Sequence, residues 1–220
     1  MRNKQFYGIA AIIVAGFVLS GAIVWVNRAG ISPETRSREE PVAQVVLPPL
    51  ASEIEVILDK KISSVRELLE DPVIIAGVKE ANAEYAGITL AEILQLDQKW
   101  RAAEGVDEFI KPFLTNEVAQ TLLEFQEDHP GFSEIFVTDA HGLNVGQTNK
   151  TTDFYQADED WWIGAYNAGQ GKVSYGPIEF DESARAEAIS LYVPVQDPET
   201  NEVLGVAKAV VSIAAIKLEL

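Results

Sequence analysis

The sequence predicts an α+β domain in which amphipathic helices come first and an antiparallel sheet follows. Three observations carry that prediction. Apolar residues recur at helical spacing at Ile54, Leu58, Ile62, Val65 and Leu69. Past His129-Pro130-Gly131 the pattern changes to strand-like alternation. Two turn-rich stretches, Asp139-Ala-His-Gly142 and Asp197-Pro-Glu-Thr-Asn201, then separate strand-like runs in the manner of hairpins. Helices followed by strands give an α+β arrangement. Its sheet buries one face against helices and leaves the other to line a pocket or meet water.

The elements follow in chain order. Tyr7–Val26 is a run of 20 residues without a charge, long enough as a helix to cross the hydrocarbon layer of a bilayer. Trp25 stands at its outer end, where an indole favours the interface, and Arg2 and Lys4 before it favour a cytoplasmic N-terminus. A cleaved signal peptide is the competing reading. Against it, the apolar run exceeds the usual core of such peptides and Asn27-Arg28 follows in place of a small-residue cleavage site. Residues 1–28 are therefore expected to be a membrane anchor or uncleaved signal segment. Residues 29–50, with Pro33, Pro41, Pro48 and Pro49, are expected to be an extended linker. Residues 51–220 are the domain, placed outside the cytoplasm, most simply in the periplasm of a bacterium whose inner membrane holds the single span.

Within the domain, the Ile54–Leu69 stripe predicts a long first helix with Glu55, Asp59, Lys60 and Glu67 on its other face. That stripe can cover the domain's own sheet or pair two chains through residues 51–70. Asp71-Pro72 reads as a cap and first-turn proline opening a second helix that Gly87 can end. Thr89-Leu-Ala-Glu92 reads as a capping box for a third helix through Trp100, stopped by Gly105. A further helix is expected over about 116–128. Strands are expected at 134–138, 143–147, 187–195 and 203–212. Shorter pieces lie near 172–175 and 178–180, and a short helix between Asp158 and Ala168.

Composition narrows the function. Seventeen basic against 34 acidic residues give a formal net charge of −17, which repels a phosphate backbone and argues against nucleic acid. The chain has no Cys, which removes disulfides, thiolate nucleophiles and zinc knuckles. No G-x-S-x-G, Walker A, G-x-G-x-x-G or H-E-x-x-H pattern occurs. The EF-hand spacing is missing around Asp153 and Asp158. His129 and His141 fall at a helix end and in a turn, as solvent-facing residues. No enzyme activity, catalytic residue, metal or cofactor is expected.

The densest chemistry lies in Thr151-Thr-Asp-Phe-Tyr-Gln-Ala-Asp-Glu-Asp-Trp-Trp162. Aromatic faces, indole donors and carboxylates in one segment suit a small-molecule pocket. The structural alternative is that Asp158 caps a helix, Glu159 and Asp160 favour its dipole, and the tryptophans are core. Adjacent helical residues point about 100° apart, so Trp161 and Trp162 can differ in role. Lys208 shares a strand face with Val206 and Val210 and interrupts an apolar row. It either snorkels from an edge strand or presents a cation to an anionic ligand, together with Arg101 beside Trp100. The expected ligand-binding set is Tyr155, Asp158, Trp161, Trp162, Tyr175, Asp181, Lys208 and Arg101, with Asp158 or Asp181 orienting the ligand.

Phe136-Val-Thr-Asp-Ala-His-Gly-Leu-Asn-Val145, Thr151-Thr-Asp-Phe-Tyr…Asp-Trp-Trp162, Ile189-Ser-Leu-Tyr-Val-Pro-Val195 and Val203-Leu-Gly-Val-Ala-Lys-Ala-Val-Val211 resemble, in order and spacing, the Cache family of extracytoplasmic sensor domains (PAS-like, or PDC). The resemblance spans about residues 50–215. It implies a single Cache domain with a PAS-like antiparallel sheet, a long N-terminal helix and additional helices. It also implies recognition of a small metabolite, such as a carboxylate or amino acid, on the concave side of the sheet. Pairing through the long helix is a family habit. Lys99-Trp-Arg101 departs from the family's amino-acid-binding pattern by placing Trp before Arg. Typical members continue into a second span and a kinase, cyclase or chemotaxis module, so signalling is expected through a partner protein or an output module beyond these residues. The alternative is a structural or interaction subunit of a membrane complex whose Cache-like fold has no pocket.

Overall fold

The computed structural model describes residues 52–181 and 186–220. The apolar run 7–26, the linker 29–50 and the side chain of Asp181 lie outside the described residues. Among the described residues no helix is long and apolar enough to cross a membrane.

Among the described residues five helices come first. Helix α1 (Ser52–Leu69) buries Leu58, Ile62, Val65 and Leu69 in a core shared with the sheet. The apolar stripe therefore covers its own chain's sheet. Helix α2 (Pro72–Glu84) starts where the Asp71 carboxylate accepts the Val73 N–H at 2.8 Å, satisfying one of the helix's free donors. It ends at Tyr85, two residues ahead of Gly87 with its φ of +85°. Helix α3 (Leu90–Ala102) has the full capping box between Thr89 and Glu92. Helix α5 (Glu117–Asp128) is capped by Asn116, whose Oδ1 accepts the Ala119 N–H at 2.8 Å. The short α4 (Lys111–Thr115) is not foreseen, because five residues are too few to show a period.

The sheet has five strands in the order β2-β1-β5-β4-β3, with every neighbouring pair antiparallel. They are β1 (Phe132–Thr138), β2 (Asn144–Gln147), β3 (Ser174–Asp181), β4 (Ala186–Gln196) and β5 (Val203–Ser212). Helix α6 (Asp160–Tyr166) and a 3-10 turn at Asn167–Gly169 lie between β2 and β3, and α7 (Ile213–Leu218) closes the chain's described part. The α+β expectation holds in this order of elements. The two pieces expected at 172–175 and 178–180 are one strand. Its register breaks between Tyr175 and Ile178, at Gly176-Pro177, because proline has no N–H for the ladder.

Alternation divides the sheet. One face carries Ile135, Val137, Ala207, Ala209, Ile189 and Leu191 into the core under α1, α2 and α5. The other carries Phe136, Lys208 and Tyr192, and α6 packs there through Trp161 and Trp162. The β1–β2 hairpin is tied by Asp139, whose Oδ1 accepts the N–H groups of His141 (2.9 Å) and Leu143 (2.8 Å). Gly142 sits at φ +79°, where a Cβ would also strike Ala157. This is the turn that the Asp-x-x-Gly spacing predicts.

Strand β5 approaches β1 so closely at Gly205 that a Cβ there would be driven into the Thr138 carbonyl. Gly205→Ala is expected to cost at least ~1–3 kcal/mol by chemical denaturation, since backbone cannot move aside as a side-chain tip can. Gly164→Ala, on the open side of α6, is expected to be neutral or to stabilise by up to about 1 kcal/mol. Equal effects at the two glycines would refute the close approach.

Candidate functional site

Register assembles the site from one row across the sheet. Gln147 lies opposite Phe136, Phe136 opposite Lys208, Lys208 opposite Tyr192, and Tyr192 opposite Ser174. Directly opposed residues project to the same face. Helix α6 then lays Trp161 over the row. Its ring stacks on Tyr192 at 5.1 Å and 20°, and meets Phe136 edge-on at 5.9 Å and 81°. The Lys208 ammonium sits 5.4 Å from the Trp161 ring and 5.9 Å from the Phe136 ring, within reach of both quadrupoles. Among the described residues no carboxylate forms an ion pair with it. Next along the row, buried Gln147 has an Nε2 without a hydrogen-bond partner among the described residues.

Trp162 takes the other role open to the pair. It is 6% exposed, stacks on Tyr166 at 4.6 Å, and its Nε1–H donates to Thr138 Oγ1 at 2.8 Å. That hydroxyl in turn donates to the Val206 carbonyl at 3.0 Å. Trp162 is a hydrogen-bonded core residue.

The remaining expected residues separate from Lys208. Arg101 pairs with Asp97 at 2.6 Å and approaches Asp153 at 3.6 Å. It belongs with the Trp100–Phe154 cluster, where buried Asp97 also accepts the N–H groups of Phe154 and Tyr155. Arg101 is thus neutralised on α3 and does not join Lys208. Tyr155 is half-buried against that same cluster, and burial, then Asp158, raise its hydroxyl pKa. Asp158 is exposed and does not cap α6; Glu159 holds the cap position, without a side-chain bond. Tyr175 lies opposite Leu191, a residue of the helical-side core, so it faces away from Lys208. Lys208 also sits on the central strand, not an edge, which excludes simple snorkelling at a sheet margin. Phe136, Tyr192 and Gln147 join the site unforeseen, because only strand register reveals who stands opposite Lys208.

Behind the β1 end of this face lies Asp139. Its Oδ2 is buried without a partner among the described residues. Burial pushes its pKa from 3.8 up to about 6, against the lowering pull of the Leu143 N–H and the His141 side chain.

No protein-family model matches the chain, and no curated protein matches it. Among solved structures it is similar to the sensory domain of a Campylobacter jejuni chemoreceptor with isoleucine bound, at 10% identity and a TM-score of 0.38, over 76% of this chain and 65% of that one. It is similar to the ligand-binding domain of a Pseudomonas aeruginosa amino-acid chemoreceptor in complex with L-Arg, at 12% identity and a TM-score of 0.40, over 75% and 53%. A third is the sensor domain of a Vibrio cholerae histidine kinase, at 14% identity and a TM-score of 0.33, over 76% and 60%. The chain spans about 65% of the length of the first of these.

Two predictions follow from the site's geometry. Trp162→Ala is expected to cost about 3–5 kcal/mol, as for a buried aromatic, and Trp161→Ala clearly less; denaturant midpoints of the two variants decide. Asp139 holds its proton more tightly folded than unfolded, so stability falls as pH rises from 3.8 through about 6. The loss is on the order of 2–3 kcal/mol. Asp139→Asn keeps an acceptor for the His141 and Leu143 N–H groups and is expected to lose that slope relative to the parent protein. Identical pH profiles would show that the carboxyl is not desolvated.

Proposed function

We propose that this chain is an extracytoplasmic, membrane-tethered sensor module without enzymatic activity. In this reading it binds a small metabolite on the α6-covered face of its sheet. One observation supports it above the others: an ammonium stands on the central strand, walled by aromatic rings and matched by no carboxylate among the described residues. Holding a cation there is costly unless a counter-charge arrives. A ligand carboxylate meets Lys208, the unpartnered Gln147 Nε2–H supplies a second donor, and an apolar body lies between Trp161 and Tyr192. For this, Trp161 must lift from its stack on Tyr192, so binding is coupled to movement of the Trp161 side chain. The tether is the 7–26 run, and the output passes through a partner protein or a module beyond these residues.

A second reading is favoured by the same stack: Trp161 already covers Tyr192, as a filled pocket in a purely structural or interaction subunit requires. Thermal-shift measurements on the full-length chain, against a panel of carboxylates, amino acids and amines, separate the two. Sensing predicts that a carboxylate-bearing compound at about 100-fold its Kd raises stability by about 2.7 kcal/mol, and that Lys208→Met abolishes the shift. A flat response across the panel at millimolar concentration favours the structural subunit.

A further inference from the structure

A second cleft opens on the helical side of the sheet, away from Lys208. It lies between α2, α4, α5 and β2, with a volume of about 770 Å³, within the range of small-molecule sites. Its apolar wall comes from Tyr85, Phe109 and Phe113. Its rim carries Glu80, Glu84, Glu108 and Glu117, and among the described residues no Lys, Arg or His lines it. Among the described residues none of these four carboxylates has an ion-pair partner. Glu80 and Glu84 stand four apart on α2 and so repel each other along one helix face. The carboxylates and the ring faces both favour a positively charged hydrogen-bond donor. One ring already demonstrates the preference: the Lys99 ammonium lies 4.0 Å over Phe109 from the neighbouring groove.

We infer that this cleft binds a small organic ammonium ion with an apolar body. The ammonium sits between the α2 carboxylates and those of Glu108 and Glu117, and the body rests on Phe109 and Phe113. The net charge of −17 draws such a cation toward the protein at long range. The apolar wall retains it where bulk charge alone would not. This inference is independent of the anion reading at Lys208, and its ligand has the opposite sign.

Calorimetric titration of the full-length chain with 2-phenylethylamine, and with uncharged 2-phenylethanol, tests it at physiological ionic strength. The amine is expected to bind saturably and the alcohol at least about tenfold more weakly. Glu80→Gln with Glu84→Gln is expected to weaken the amine by about tenfold or more. Glu53→Gln with Glu55→Gln, which removes the same charge from the exposed start of α1, is expected to change it by under about threefold. Lys208→Met is expected to leave amine binding intact. The inference is overturned by non-saturable binding, by equal affinity for the alcohol, or by equal losses in the two double variants, which would mean bulk charge only. It is also overturned if the α2 pair has no effect.

Discussion

The burial of β5 is the constraint on which the rest of the structure depends. From Val203 to Val211 every residue of this strand is buried except Lys208. Its two edges are filled by β1 and β4, so its peptide groups need no water. Burying a strand on both faces requires cover on both sides, and the chain provides it unequally. Helices α1, α2 and α5 pack on one face. Among the described residues the other is covered by a single short helix, α6, whose grip rests on two tryptophans. The lone cation of β5 projects to the thinly covered side. An ammonium in the middle of an apolar strand is tolerable only where its charge meets something polarisable, and the rings of Phe136 and Trp161 meet that need without neutralising it.

The segment that carries α6 is not loose. Asp97 ties the backbone of Phe154 and Tyr155 to α3 and is itself held by Arg101. Asn144 reaches Thr151 Oγ1 at 2.7 Å and the Asp153 carbonyl at 3.0 Å. Trp100 fixes the same segment through its Nε1–H to the Thr151 carbonyl at 2.9 Å. With one end of the segment anchored to α3, and Trp162 pinned to Thr138, the freedom left on this face is concentrated in the half-buried Trp161. Arg101, which looks like a ligand group in the sequence, is spent on this anchoring through Asp97.

What the sequence makes legible follows the range of the interaction. The capping box at Thr89–Glu92, the Asp71 cap and the Asp139–Gly142 hairpin depend on residues within four positions of each other, and all are found where the spacing places them. The two-residue period identified Lys208 as an intruder in an apolar row, and the 100° offset of Trp161 and Trp162 correctly allowed them different roles. It could not say which was core, because that depends on Thr138 being across the space from Trp162. Tyr175 goes astray for a similar reason. A register break at Gly176-Pro177 decides which face it shares, and a proline in a strand announces irregularity without its direction. Arg101 goes astray because Asp97, four residues earlier on the same helix, claims it. Phe136, Tyr192 and the whole helical-side cleft are products of register and of a five-residue helix, neither of which has a local signature.

The acidity of the chain then acquires two different meanings on the two sides of the sheet. On the α6 side, an anion approaching Lys208 moves against the field of the molecule as a whole, so only short-range contacts can hold it, and salt that screens the repulsion would help it bind. On the helical side the same field assists a cation, and screening would hinder it. A uniformly acidic surface would produce the second effect anywhere. The cleft differs from such a surface because aromatic area coincides in one concavity with carboxylates that form no ion pair among the described residues. Lys208 differs from an ordinary surface lysine because its neighbours are rings where acids would be the obvious choice in so acidic a chain. In both places the informative feature is a partner that the overall composition could have supplied and that is missing among the described residues.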